Sequence, residues 1–312
     1  MLVELAVLLG SLVILAKSSD LVINNAIKFS RALRLKELVI GFAFLGVTTN
    51  LPEIAIAGAE ILSGKMEITV GNLFGSTIAD ICIVLGTLAL VRPIKVSGEK
   101  FKEFSTLFFY SALTPLILLL INVAYATKII GVGLILMFIY FTYRSGGKKI
   151  SLKVKKPVKF KYAILIFLIV GIFGVVASSK LIIDSASSIA KEIGITGTVI
   201  GATMIAVTTN LPEMSLCYTS IKKNRVNLAL GTLIGSAVSE ITLIFGSVLV
   251  LSTFVIDMSI FSTLLMFTLL TNILAWRFFE TGRKLDRFEG VVLILVYAVF
   301  LITTLGVQVT LL

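Results

Sequence analysis

The sequence predicts an all-α integral membrane protein of about ten transmembrane helices, arranged as two inverted five-helix repeats with helices 2, 3, 7 and 8 broken near mid-span. Three observations predict it. The 312 residues are 57% hydrophobic and 14% charged, with a mean hydropathy of +1.07, too apolar for a soluble domain. The segment Val47-Thr48-Thr49-Asn50-Leu51-Pro52-Glu53 recurs letter for letter as Val207-Thr208-Thr209-Asn210-Leu211-Pro212-Glu213, and each copy interrupts an apolar run long enough to cross a bilayer. Basic residues gather in alternate loops between such runs, the pattern of a chain threaded repeatedly through a membrane.

A span needs roughly 20 mostly apolar residues. The first segment, near 1–27, has no basic leader and no evident small-residue cleavage site, so it is expected to remain as a transmembrane helix. Segments 37–62 and 67–91 carry polar motifs at mid-span, and the plainly apolar segments 103–122 and 126–143 complete a first repeat over 1–144. A basic linker over 145–159 follows. From Arg144 to Lys161 the chain holds eight basic residues and no acidic one, which places this loop in the cytoplasm by the positive-inside rule. The second repeat, 160–312, brings segments 160–189, 197–221, 227–252, 258–279 and 288–311.

Threading outward from the linker supplies an internal check. The loops expected inside carry Lys28, Arg31, Arg34 and Lys36; Arg92, Lys95, Lys100 and Lys102; Lys222, Lys223 and Arg225; and Arg277, Arg283, Lys284 and Arg287. Those expected outside hold little beyond Lys65 with Glu67, Lys128, Lys191 with Glu192, and Asp257. Both termini are thus expected to face outward from the cell membrane.

The two halves correspond along their length. An offset of 160 residues pairs Glu53 with Glu213, Gly41 with Gly201, Gly71 with Gly231, Gly75-Ser76 with Gly235-Ser236, Asp80 with Glu240, and Gly86 with Gly246. Five spans per half is an odd number, so the second half must begin from the opposite face. Inverted repeats of this kind place a substrate site near the bilayer midplane, where the halves meet.

The motifs carry the chemistry. A proline inside a helix removes one hydrogen bond and displaces the carbonyl four residues earlier, so Pro52 and Pro212 are expected to free the carbonyls of Thr48 and Thr208. Thr49 and Glu53 lie four residues apart on one helix face, as do Thr209 and Glu213, with Asn50 and Asn210 between. In the second motif of each half, glycines permit a break or a close helix approach, and Ser76 with Asp80 matches Ser236 with Glu240. Four carboxylates at mid-span cannot all be ionised without counter-charge. Oxygen ligands of this mixed kind suit hard cations such as calcium, which accepts six to eight of them; sodium ions of similar radius, or protons, fit the same set.

The composition excludes other classes. Histidine is absent, which removes imidazole catalysis, imidazole metal sites and imidazole proton relays. Cys82 and Cys217 each stand alone in apolar runs and read as small buried hydrophobes. The net charge of +11 is explained by loop orientation in the lipid bilayer and not by a nucleic-acid partner. Around Gly58 to Lys65 the spacing of a phosphate loop fails and Met66 stands where a hydroxyl is required, so no nucleotide site is expected.

The paired T-x-L-P-E and G-x-x-x-G-S-x-x-x-[DE] motifs, in two inverted halves joined by a basic loop, resemble the cation/calcium antiporter superfamily, most closely its prokaryotic sodium/calcium exchangers. The resemblance covers nearly the whole chain. It implies a secondary antiporter, not an enzyme, that exchanges calcium for sodium by alternating access and needs no cofactor beyond the transported ions. By position, Glu53 and Glu213 resemble the family's central calcium ligands and Thr49 and Thr209 its flanking threonines. Ser76 and Ser236, with the carbonyls of Gly46 and Ala206, look like outer sodium ligands, and Asp80 and Glu240 match the positions completing the central diamond. Asn50 and Asn210 replace the serine usual in sodium/calcium exchangers and resemble a proton/calcium exchanger motif instead. With Asp80 and Glu240 both acidic, the counter-ion stays open between sodium, protons and potassium.

Blander readings apply to single features. A glycine pair alone reads as a packing face, and Lys17 and Lys180 read as snorkelling or pairing with Asp20 or Asp184. Four carboxylates in repeat-related positions do not read so, because desolvation disfavours keeping them without ligands. A passive cation channel would also use duplicated acidic helices, and an intramembrane protease using Asp80 with a second acid would not need two matched sets.

Overall fold

In hydrocarbon every backbone amide must find its partner within the protein, and an apolar chain therefore settles into helices. The computed structural model describes residues 2–33, 37–51, 53–54, 57–58, 61, 67–95, 113–114, 127–146, 162–192, 206–252, 258–282 and 284–311. Almost all of these are helical. The expected segment 103–122 lies outside the described residues except for 113–114, as do Pro52, most of the basic linker and the stretch 193–205 that opens the seventh segment.

The first half opens with α1 (Leu2–Leu33). Next comes a composite helix of α2 (Glu37–Val39), a π-helical stretch π1 (Ile40–Leu45) and α3 (Gly46–Thr49). It continues through α4 (Glu67–Ala79), π2 (Asp80–Leu85) and α5 (Gly86–Val91), then strand β1 (Ile94–Lys95) and α6 (Thr127–Gly146). The second half runs α7 (Tyr162–Glu192), α8 (Ala206–Thr209), α9 (Leu211–Lys222), α10 (Val226–Ser239), π3 (Glu240–Ile244) and α11 (Phe245–Leu251). It closes with α12 (Met258–Gly282), β2 (Lys284–Leu285) and α13 (Arg287–Leu311).

The mid-span breaks take two physical forms. At Asn50 and Asn210 the helix stops for a single turn residue. Pro212 then stands in the first turn of α9, where its missing amide would have had no partner anyway. The second copy of the proline thus starts a new helix and does not loosen a continuous one, which differs from the expectation drawn from helix-interior proline. In the third and eighth spans the backbone stays helical but widens into π turns starting at Asp80 and at Glu240. Such turns accommodate an extra residue and gather at functional sites.

Among the described residues, apolar packing forms two bodies. The larger core surrounds α4 to α5 and α10 to α11, with Phe74 edge-on to Phe245 and Phe42 stacked on Phe138. The last helix of each half crosses to the other half's central helix. Gly131 meets Gly246, and Gly290 meets Gly86, so closely that a Cβ on Gly131 or Gly290 would stand 2.7 Å from the opposite carbonyl oxygen. The smaller core joins α1 to α7, with Val22, Ile23 and Leu168 buried between them. On this pair Leu9, Val13, Ile166 and Phe173 are exposed, as suits helices facing lipid.

Asp20 of α1 pairs with Lys223 at the end of α9, Oδ1 to Nζ 2.6 Å. Its partner is therefore not Lys17, the sequence neighbour: a loop residue 203 positions away reaches it only in the fold.

Candidate functional site

Small residues create the space in which the two halves meet. Gly41 and Gly46 of the first half lie against α10, and a Cβ on Gly46 would stand 2.6 Å from the Gly235 carbonyl carbon and the Ser236 amide nitrogen. The interrupted helix of one half thereby rests backbone to backbone on the glycine-serine helix of the other. Polar side chains that would be separated by apolar bulk are brought into contact.

All twelve residues expected from the motifs are buried here: Glu53, Glu213, Asp80, Glu240, Thr49, Thr209, Asn50, Asn210, Ser76, Ser236, Gly46 and Ala206. Their hydrogen bonds cross between halves. Asn50 Nδ2 donates to the Ser236 carbonyl at 3.0 Å and to Ser239 Oγ at 2.8 Å, and Ser236 Oγ donates to Asn50 Oδ1 at 2.7 Å. In the matching place Asn210 Nδ2 donates to the Ser76 carbonyl at 2.8 Å, and Ser76 Oγ lies 3.2 Å from Thr209 Oγ1. Ser236 Oγ also reaches Glu213 Oε1 at 3.1 Å. The Thr209 hydroxyl faces Glu53 and the Thr49 hydroxyl faces Glu213. The same two hydroxyls lie 3.2 Å from the carbonyls of Ala206 and Gly46 respectively.

What these bonds leave over is the more informative quantity. Glu53 Oε2, both Asp80 carboxylate oxygens, Glu213 Oε2, Glu240 Oε1 and Asn210 Oδ1 are buried without a hydrogen-bond partner. A buried, unpaired carboxylate costs several kcal/mol, roughly, unless a cation or proton joins it. All four carboxylates sense one another's charge, yet among the described residues no three acidic or thiol side chains close into a metal cage. The oxygens are instead dispersed among hydroxyls, amides and carbonyls, a donor set for hard cations and not for soft metals.

Two contributors escape sequence comparison. Thr77 Oγ1 donates to Glu240 Oε2 at 2.7 Å, and Ser239 accepts from Asn50. Their repeat partners at the 160-residue offset are Ala237 and Ala79, so a search for what the halves share passes over them. The only signal was the mismatch itself. The asymmetry has a structural result: Glu240 is held through one oxygen, while Asp80 keeps both free.

Beside the site, between it and the α1–α7 pair, lies a small cavity lined by Val22, Leu45, Thr48, Thr49, Ile172, Val175, Val176 and Leu216. It is apolar except for its two threonines.

Comparison with known proteins points to one family. The model of the family described as sodium/calcium exchanger protein matches residues 3–146 and again 163–306. The sodium/calcium exchanger MaX1 of Methanosarcina acetivorans is 28% identical, over 96% of this chain and 98% of its own. The inner membrane protein YrbG of Escherichia coli is 24% identical, over 89% and 90%. A structure of the sodium-calcium exchanger NCX_Mj, soaked with sodium and calcium, superposes with a TM-score of 0.79 at 26% identity, covering 96% of this chain and 97% of that one.

Proposed function

Starting from the fact that the chain belongs to the sodium/calcium exchanger protein family, we propose how its central cluster performs the exchange. The protein is a multi-pass membrane antiporter that moves calcium against sodium. Glu53 and Glu213 bind calcium between them, with Thr49 and Thr209 alongside. Ser76 and Ser236, with the carbonyls of Gly46 and Ala206, complete flanking sodium positions, and Asp80 and Glu240 close the cluster. Asn50 commits its amide to the opposite half and acts as a positioning residue, whereas Asn210 keeps an oxygen for the ion.

The observation that carries this reading is the set of unpartnered carboxylate oxygens at the seam of the two halves. Left empty, the cluster would repel itself, so a calcium ion or sodium ions must take turns there, and exclusion of one by the other couples their movements. Alternating access follows if the seam opens to one side at a time. Residues 1–144 and 160–312 are the two halves that rock, and the basic linker 145–159 lies in the cytoplasm with both termini outside.

A second reading replaces sodium by protons. It rests on Asp80, whose two free oxygens add a charge that one divalent ion beside Glu53, Glu213 and Glu240 does not neutralise. The experiment is calcium flux into proteoliposomes under an imposed sodium gradient or an imposed pH gradient. Sodium-driven uptake, with little response to pH difference, is expected; flux indifferent to sodium in both directions would overturn the first reading.

A further inference from the structure

The helical spans Thr69–Val91 and Arg287–Thr304 have adjoining ends, and the residues just beyond those ends pair with each other. Strand β1 runs antiparallel to β2, with Ile94 opposite Leu285 and Lys95 opposite Lys284. Ile94 and Leu285 are buried, so both lysines lie on the exposed face of the ladder. Directly opposed residues on such a ladder have Cβ atoms about 4.5–5.5 Å apart, and like charges there are destabilising. Arg92 and Arg287 flank the pair, adding positive charge.

Nearby acids do not relieve it. Asp286 and Glu289 close a reciprocal cap on α13: the Asp286 amide donates to Glu289 Oε2 at 2.9 Å and the Glu289 amide to Asp286 Oδ1 at 3.0 Å. Glu289 senses the charge of Lys284, but among the described residues neither lysine forms an ion pair. Arg92 is turned to the Asn224 side-chain oxygen. On the hydrocarbon side of the lysines, Val91 and Phe288 are strongly exposed, 50% and 75%. The surface is therefore cationic where headgroups lie and apolar where acyl chains begin.

We propose that Lys95 and Lys284, with Arg287 beside them, bind the phosphate of an anionic phospholipid, whose chains lie against Val91 and Phe288. A free phosphate would satisfy the lysines but leave the apolar residues uncovered, which is why the occupant is assigned as lipid. The site joins the end of a first-half span to the start of a second-half span, so an occupied site bridges the repeats.

The test uses the full chain purified in a neutral maltoside detergent, titrated with phosphatidylglycerol, with phosphatidylcholine, or with inorganic phosphate. Thermal unfolding and native mass spectrometry of retained lipid are the readouts. Phosphatidylglycerol is expected to raise the midpoint and remain bound, with phosphatidylcholine and phosphate inert. Each lysine removed in Lys95→Gln and Lys284→Gln should weaken the lipid effect about fivefold, while Lys128→Gln with Lys180→Gln should leave it intact. Lys284→Glu sets opposite charges across the ladder. It should match or exceed the parent's midpoint in detergent alone yet lose the lipid response, which keeps the test valid if the glutamine variants fold poorly. A full phosphatidylglycerol response in Lys284→Glu, or an equal response to inorganic phosphate, would overturn the proposal.

Discussion

Glu53 and Glu213 illustrate how little covalent difference separates a ligand from a packing residue. Replacing either by Gln keeps shape and burial but removes charge, so transport is expected to fall to background while the variant elutes as a folded protein; proteoliposome flux and size-exclusion profiles check the two halves of that statement. Asp80→Asn should be milder and should change the dependence of calcium flux on the driving ion, because both its carboxylate oxygens are free for a cation. The two asparagines should also separate. Asn50 makes three bonds to the other half and Asn210 one, and each buried partner left unsatisfied costs about 1–3 kcal/mol. Asn50→Ala is thus expected to lower thermal stability more than Asn210→Ala, and equal midpoints would contradict the positioning role. All five residues were legible as candidates from their places in the repeated motifs. Which asparagine also spends its side-chain oxygen on structure was not, since repeat-related positions look alike until their unlike neighbours, Ser239 against Ala79, are folded around them.

Among the elements, the glycine contacts decide how closely the halves approach. Gly46→Ala or Gly235→Ala would force a methyl group into the opposing backbone, which cannot give way as a flexible side chain would. Overpacking of this sort costs about 1–3 kcal/mol, so both variants should unfold at lower temperature and bind calcium more weakly. Gly71→Ala meets nothing within 4 Å among the described residues and should be close to neutral. The sequence marked Gly71 and Gly231 as equals; among the described residues only Gly231 is pressed against an opposing backbone, at the Leu38 carbonyl. The breaks were also only partly readable. Proline signalled an interruption in the second and seventh spans, but the π turns at Asp80 and Glu240 follow no residue rule visible in the chain.

Over the whole molecule, a sealed vesicle should accumulate calcium above its equilibrium level when sodium runs down its gradient in the opposite direction. Uptake that merely equilibrates would be the behaviour of a channel. The sequence by itself determined that this is a membrane protein, that it is built twice over, and that its costly mid-span acids recur at one offset, because burial in lipid penalises every charge without a use. Only the tertiary structure decided how the copies complete one another: each half's broken helix is hydrogen-bonded to the other half's serine helix. The VTTNLPE letters are the same in both copies. Their surroundings are not, and the energy of a buried oxygen depends on what stands beside it in space.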